Sequence, residues 1–171
     1  MRPEDQRSAA GQYTVVARTL IFLTRGSKVL LLKGAPTKRL WAGKYNGIGG
    51  HLEPGESPYA SALRELSEET GLTVDALALR GLVHVTLPEP PGVVLFVFVG
   101  ESPAGDPVAS NEGTPQWVEQ TELAALPLVD DLPALLPRVL VGGTMTYAHY
   151  TVTNGGLEIR FDPTAPKPAD E

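Results

Sequence analysis

The chain has 171 residues, 42% of them hydrophobic, with 14 basic and 20 acidic side chains for a net charge of −6. That length suits one domain with a substantial core, and the hydrophobic fraction separates the chain from disordered polymers. An acidic balance with no Lys/Arg run argues against an extended nucleic-acid partner, and the lack of cysteine excludes disulfides and thiolate zinc sites.

No stretch approaches the ~20 continuous apolar residues of a membrane span. The charged start M-R-P-E-D-Q-R lacks the apolar core of a signal peptide. Together these predict a soluble, cytoplasmic protein with no membrane partner. A small phosphorylated substrate remains open if a metal supplies positive charge.

In chain order, residues 1–12 read as a flexible leader, residues 13–162 as a single domain and residues 163–171 as a flexible tail. Tyr13 to Leu23 is rich in β-branched and aromatic side chains, and Arg25-Gly26-Ser27 supplies a turn before Val29 to Leu32, which predicts a hairpin. The segment Lys33 to Gly49 mixes cations, aromatics and glycines and reads as a loop. There Lys38, Arg39 and Lys44 suit phosphates, and Trp41 or Tyr45 suits stacking on a base; solvated cations and aromatic plugs are the structural alternative. Asn46 before Gly47 suits a turn.

The stretch from Gly50 to Leu72, G-H-L-E-P-G-E-S-P-Y-A-S-A-L-R-E-L-S-E-E-T-G-L, predicts a turn at Pro54-Gly55 and then a helix. Ser57 is placed as N-cap, Pro58 as first helical residue and Gly71 as the left-handed stop. At about 100° per residue, Glu65, Glu68 and Glu69 share roughly one quadrant, beside an apolar face of Tyr59, Ala62, Leu63 and Leu66. Like charges at these spacings oppose helix formation, so a cation is a simple reason to tolerate them. Arg64 offsets one acid, and the remaining carboxylates match the oxygen coordination of hard divalent ions. A solvated acidic helix with one ion pair is the alternative.

Beyond the helix, Ala76 to Leu87 and Val93 to Gly100 predict two strands around P-E-P-P-G. His84 reads as a packed or edge histidine, not a metal ligand. Glu101 to Asn111 reads as a surface loop leading to N-E-G-T-P-Q-W-V, where Glu112 is an acid and Trp117 structural. Thr121 is placed as cap of a short helix through Ala125, and Asp130-Asp131 as the entry to a second helix with Pro133 in its first turn. Thr144 to Thr153 and Leu157 to Phe161, around Asn154-Gly155-Gly156, predict a closing hairpin.

The stretch from Gly50 to Leu72 resembles the Nudix box, G-x5-E-x7-R-E-U-x-E-E-x-G-U with U aliphatic, through Gly50, Glu56, Arg64, Glu65, Leu66, Glu68, Glu69, Gly71 and Leu72. The resemblance implies an α+β fold, an α/β/α sandwich around a mixed sheet, and hydrolysis of a nucleoside diphosphate linked to another group. It implies Mg²⁺, with Mn²⁺ as substitute, bound by Glu65, Glu68, Glu69 and the Gly50 carbonyl, with Arg64 and Glu56 orienting loop and helix. Glu112 before Trp117 resembles the region that adds another metal-associated carboxylate. The stretch K-Y-N-G-I-G-G-H-L-E-P-G-E resembles the oxidised-purine nucleoside triphosphatases, which makes Asn46 a candidate base reader, and Asp130-Asp131 resembles the base-recognition pair of the same subgroup. The implied substrate is a nucleotide such as 8-oxo-dGTP; dinucleoside polyphosphates, ADP-ribose and a non-catalytic binding module are the alternatives. Homodimers are common among such relatives.

Overall fold

The structure is a computed structural model that describes residues 11–102 and 104–163. Residues 1–10 of the expected leader and 164–171 of the expected tail lie outside the described residues, as does Pro103. The described strands are β1 (Val15–Arg25), β2 (Lys28–Gly34), β3 (Tyr45–Asn46), β4 (Leu77–Thr86), β5 (Gly92–Glu101), β6 (Gly113–Glu119), β7 (Thr146–Thr153) and β8 (Gly156–Phe161). The helices are α1 (Pro58–Thr70) and α2 (Leu132–Val139), with a short 3-10 helix at Gln120–Ala125. Neither α-helix is long and apolar enough to cross a membrane.

All eight strands join one mixed sheet in the order β3-β2-β1-β5-β4-β7-β8, with β6 on β2. β1 and β2 form the expected hairpin, closing at Arg25↔Lys28, and β1 then runs parallel to β5 from Val15↔Gly92 to Thr24↔Glu101. β4 lies antiparallel to β5 and parallel to β7, and β7 closes the expected hairpin with β8.

Strand alternation divides the apolar side chains between two faces. Ile21, Leu23, Leu30, Leu32 and Phe98 pack on Ala62 and Leu66 of α1. Leu20, Phe22, Val29, Leu31, Val83 and Val97 pack with Leu132, Leu135, Leu136 and Val139 of α2. Each fully buried large aliphatic side chain contributes ~1.5–3 kcal/mol, so both helices are held chiefly by these faces. The result is the expected α/β/α sandwich around a mixed sheet.

Local structure adds to and corrects these expectations. The loop from Lys33 to Gly49 contains β3, because Tyr45 and Asn46 pair with Lys33 and Leu32 of β2. β6 is a strand that the proline hides: Pro115 sits opposite Leu32, and an edge strand tolerates a residue that cannot donate on its open side. The 3-10 helix is entered from Glu119 with no side-chain cap, so Thr121 lies inside it and caps nothing. The second helix does begin at Asp130-Asp131 as expected: Asp131 is the N-cap residue of α2, and its backbone carbonyl, not its carboxylate, accepts from the Ala134 and Leu135 N–H groups.

Candidate active site

Both ends of α1 follow from local chemistry. The Ser57 hydroxyl accepts from the Ala60 N–H at 3.1 Å, and Gly71 ends the helix at φ 70°, where its N–H reaches the Ser67 carbonyl at 2.8 Å. The helix therefore presents its acids at a set height against the loop containing Gly49 and Gly50. A Cβ on Gly50 would lie 2.2 Å from Glu65 Oε1, so only glycine lets the loop approach that carboxylate. The Gly49 N–H donates to Glu69 Oε2 at 3.1 Å.

Arg64 organises three of the acids. Its Nε and Nη2 donate to both oxygens of Glu56 at 3.1 and 2.8 Å, and its Nη1 donates to Glu65 at 2.9 Å and Glu68 at 3.1 Å. Nη2 also reaches the His51 carbonyl at 3.1 Å, tying the loop to the helix. The Arg64 guanidinium and the Glu53 N–H hold the Glu56 carboxyl down at about 2, while Glu56 and Glu65 raise Arg64 above its ordinary value.

Glu69 is different. It is 6% exposed, and burial pushes its carboxyl up to about 7. The Gly49 hydrogen bond and Lys38 oppose that rise, and the charges of Glu65 and Glu112 add to it. Burial is the larger cause, so a cation placed beside Glu69 would favour its ionised form.

The donor set fits a hard divalent ion, since Glu65, Glu68, Glu69, Glu112 and the Gly50 carbonyl offer only oxygen. The Gly50 carbonyl accepts from the Thr19 N–H at 2.9 Å and keeps a second lone pair. No three His, Asp or Glu side chains among the described residues already form a metal-holding group. Arg64 donates to one oxygen each of Glu65 and Glu68.

Beside Glu69 lies an open cleft lined in part by Arg18, Lys38, Trp41, Lys44 and Asn46. The Asn46 Oδ1 accepts from the Gly47 N–H at 2.8 Å, so the predicted turn is present and its amide group faces the cleft wall. Lys38 pairs with Glu112, and the Ala35 N–H donates to the Glu112 carbonyl at 3.2 Å, which ties the β2–β3 loop to the start of β6. Lys44 pairs with Asp130 at 2.8 Å.

Other sequence candidates separate. Tyr45 is no stacking residue: it is 7% exposed in the α2-side core, with its hydroxyl donating to Gln116 at 2.8 Å. Trp41 remains, 44% exposed at the cleft with φ 59°, a strained conformation for a non-glycine residue. Arg39 is exposed and does not line the cleft. Asp130 and Asp131 diverge. Asp130 faces Lys44, whereas Asp131 is drawn inward, where burial raises its carboxyl above the usual range; its charge helps raise the buried Tyr150 hydroxyl. Trp117 is a packing residue under the Arg25 guanidinium, 4.1 Å from its ring. His84 stacks on His149 at 5.1 Å and bonds Tyr13 at 3.0 Å. Arg18 was missed by sequence reasoning; its only signal is a cation inside the apolar run V-V-A-R-T-L-I-F.

With this geometry in place, residues 14–139 match the NUDIX domain family. The chain belongs to the Nudix family. Its Nudix domain is 35% identical over 108 residues to the zebrafish (Danio rerio) oxidized purine nucleoside triphosphate hydrolase, covering 63% of this chain and 68% of that protein. The mouse (Mus musculus) protein of the same name is 34% identical over 116 residues, covering 67% and 71%. In structure, the Nudix domain is similar to a MutT protein from Bacillus halodurans, with a TM-score of 0.76 at 26% identity over 87% of this chain and 99% of that one. This is a MutT-like Nudix hydrolase, an enzyme class that acts on nucleoside diphosphate-linked substrates and generally uses a divalent metal.

Proposed function

We propose that this Nudix hydrolase cleaves an oxidised purine nucleoside triphosphate, such as 8-oxo-dGTP, to the monophosphate and pyrophosphate, and so cleanses the nucleotide pool. The observation that carries the reading is one cleft in which Asn46, a candidate base reader, adjoins Lys38, Lys44 and the buried Glu69. The two relatives named for oxidised purine nucleotides support the substrate class.

Mg²⁺, or Mn²⁺ in its place, would be held by Glu65, Glu68, Glu69, Glu112 and the Gly50 carbonyl, and would neutralise phosphate charge and acidify a bound water. Lys38 and Lys44 meet the phosphates as point charges. Arg64 orients Glu65 through the 2.9 Å bond to Oε1, and Glu65 Oε2 would take a proton from the attacking water. Asn46 offers the purine edge a donor, whereas Asp131, turned inward, does not line this cleft.

The test is hydrolysis of 8-oxo-dGTP, dGTP, ATP and ADP-ribose in parallel with Mg²⁺, resolving monophosphate from pyrophosphate, for wild type and Glu69→Gln. A kcat/KM highest for 8-oxo-dGTP and reduced by two or more orders of magnitude in the variant is expected. Greater kcat/KM for an undamaged nucleotide or ADP-ribose would discard the sanitation role and keep the chemistry.

A further inference from the structure

Besides the two-residue β3, the sheet has two edge strands among the described residues, and they are guarded differently. β6 carries Pro115 and leads directly into the 3-10 helix, both of which discourage strand addition. β8 is the last strand of the sheet, and no proline interrupts Gly156 to Phe161. Its outer edge is open among the described residues.

The direction of each backbone group on β8 follows from its pairing. The Asp162 N–H donates to the Tyr147 carbonyl at 3.0 Å, and alternation then turns the groups of Arg160, Glu158 and Gly156 toward β7 as well. Leu157, Ile159 and Phe161 consequently turn their N–H and C=O groups outward. Their side chains are half-buried on the α2 side of the sheet, while Glu158 and Arg160 stand exposed on the other face.

We propose that this edge pairs antiparallel with β8 of a second copy of the chain, extending the two sheets into one across a two-fold axis at Ile159. Three registers join two or more of the outward-facing residues. An axis at Glu158 sets Glu158 against its own copy, and an axis at Arg160 sets Arg160 against its own copy. Only the axis at Ile159 joins all three outward residues: Ile159 meets Ile159, Leu157 meets Phe161 on both sides, and Glu158 lies opposite Arg160 twice. Those charged residues then occupy the non-hydrogen-bonded positions, where opposing side chains are closest. The strand L-E-I-R-F is self-complementary in hydrogen bonding, in charge and in apolar contact. β8 lies at the end of the sheet remote from β3 and the cleft, so pairing leaves both active sites open.

The test uses the full chain in two measurements. Sedimentation across low to high micromolar concentration should show the wild-type mass rising toward that of a dimer. Glu158→Arg or Arg160→Glu alone, each making two like-charge pairs, should raise the dimer dissociation constant about tenfold or more, and the double exchange should restore it. Amide exchange should find the Leu157, Ile159 and Phe161 N–H groups slowed with rising concentration, and those of Glu158 and Arg160 protected throughout. A wild type that stays monomeric overturns the proposal, as does a dimer indifferent to both single reversals or not rescued by the double. Outward amides protected at every concentration without a change in mass would assign the edge to the chain's own terminal residues and overturn it equally.

Discussion

Glu69 is held at about 7 by burial, whereas in the unfolded chain it titrates near 4.5. Between those values the native state holds a proton on Glu69 that the unfolded state releases, so this residue's contribution to metal-free stability is greatest below about 4.5 and falls as pH rises to about 7, by ~3 kcal/mol at most. Glu69→Gln should remove that decline. Urea unfolding of both proteins without metal, at about pH 4 and about pH 8, checks this: the wild type should lose more stability than the variant, and equal losses would contradict a buried, proton-holding Glu69. The position of this residue beside Glu65 and Glu68 was legible in the sequence, since helical spacing alone gathers them. Its burial was not. Glu69 is sealed by the Gly49 N–H and the sheet, while Glu68 in the same quadrant is 58% exposed. Tyr45 shows the converse: an aromatic in a glycine-rich loop reads as available, and only its pairing with β2 turns it into the core.

At the scale of elements, α1 and its preceding loop act as one unit because Arg64 spans them. Lysine at this position keeps the charge but loses the planar fork that grips both oxygens of Glu56. Since Glu56 is lowered to about 2, its pairing contributes stability above about 4.5 that is lost as pH falls through 2. Arg64→Lys should therefore reduce stability near neutrality and flatten the acid side of the stability curve. Acid unfolding followed by circular dichroism reads this directly, and an acid limb unchanged in the variant would count against the bridge. Ser57→Ala should cost ~1 kcal/mol by removing the cap bond to Ala60, with no change in acid slope. The two variants separate helix stability from loop attachment. Caps, hairpin turns and the long strands were readable because each depends on neighbouring residues. β3 is two residues long and β6 contains Pro115, so neither has a local pattern strong enough to announce it.

For the whole molecule, the crowding of acids at one end of α1 links folding to cation binding. An ion that binds only the native state stabilises it by RT ln(1 + [L]/Kd), ~2.7 kcal/mol at a hundredfold excess over Kd. Thermal unfolding with increasing Mg²⁺ should raise Tm for the wild type and much less for Glu69→Gln; equal shifts in both would remove Glu69 from the ligand set. The family, the acidic helix with both its ends, and the chemical type of the site were readable from local spacing, because the residues that carry them lie in one contiguous stretch from Gly50 to Leu72. Only long-range packing brings Lys38 to Glu112 and Lys44 to Asp130, turns Asp131 inward, carries Arg18 to the cleft, and leaves β8 with an edge that is open among the described residues. Each of these depends on which distant strands lie side by side, and strand order is set by packing of the two sheet faces as a whole, which no local run of residues encodes.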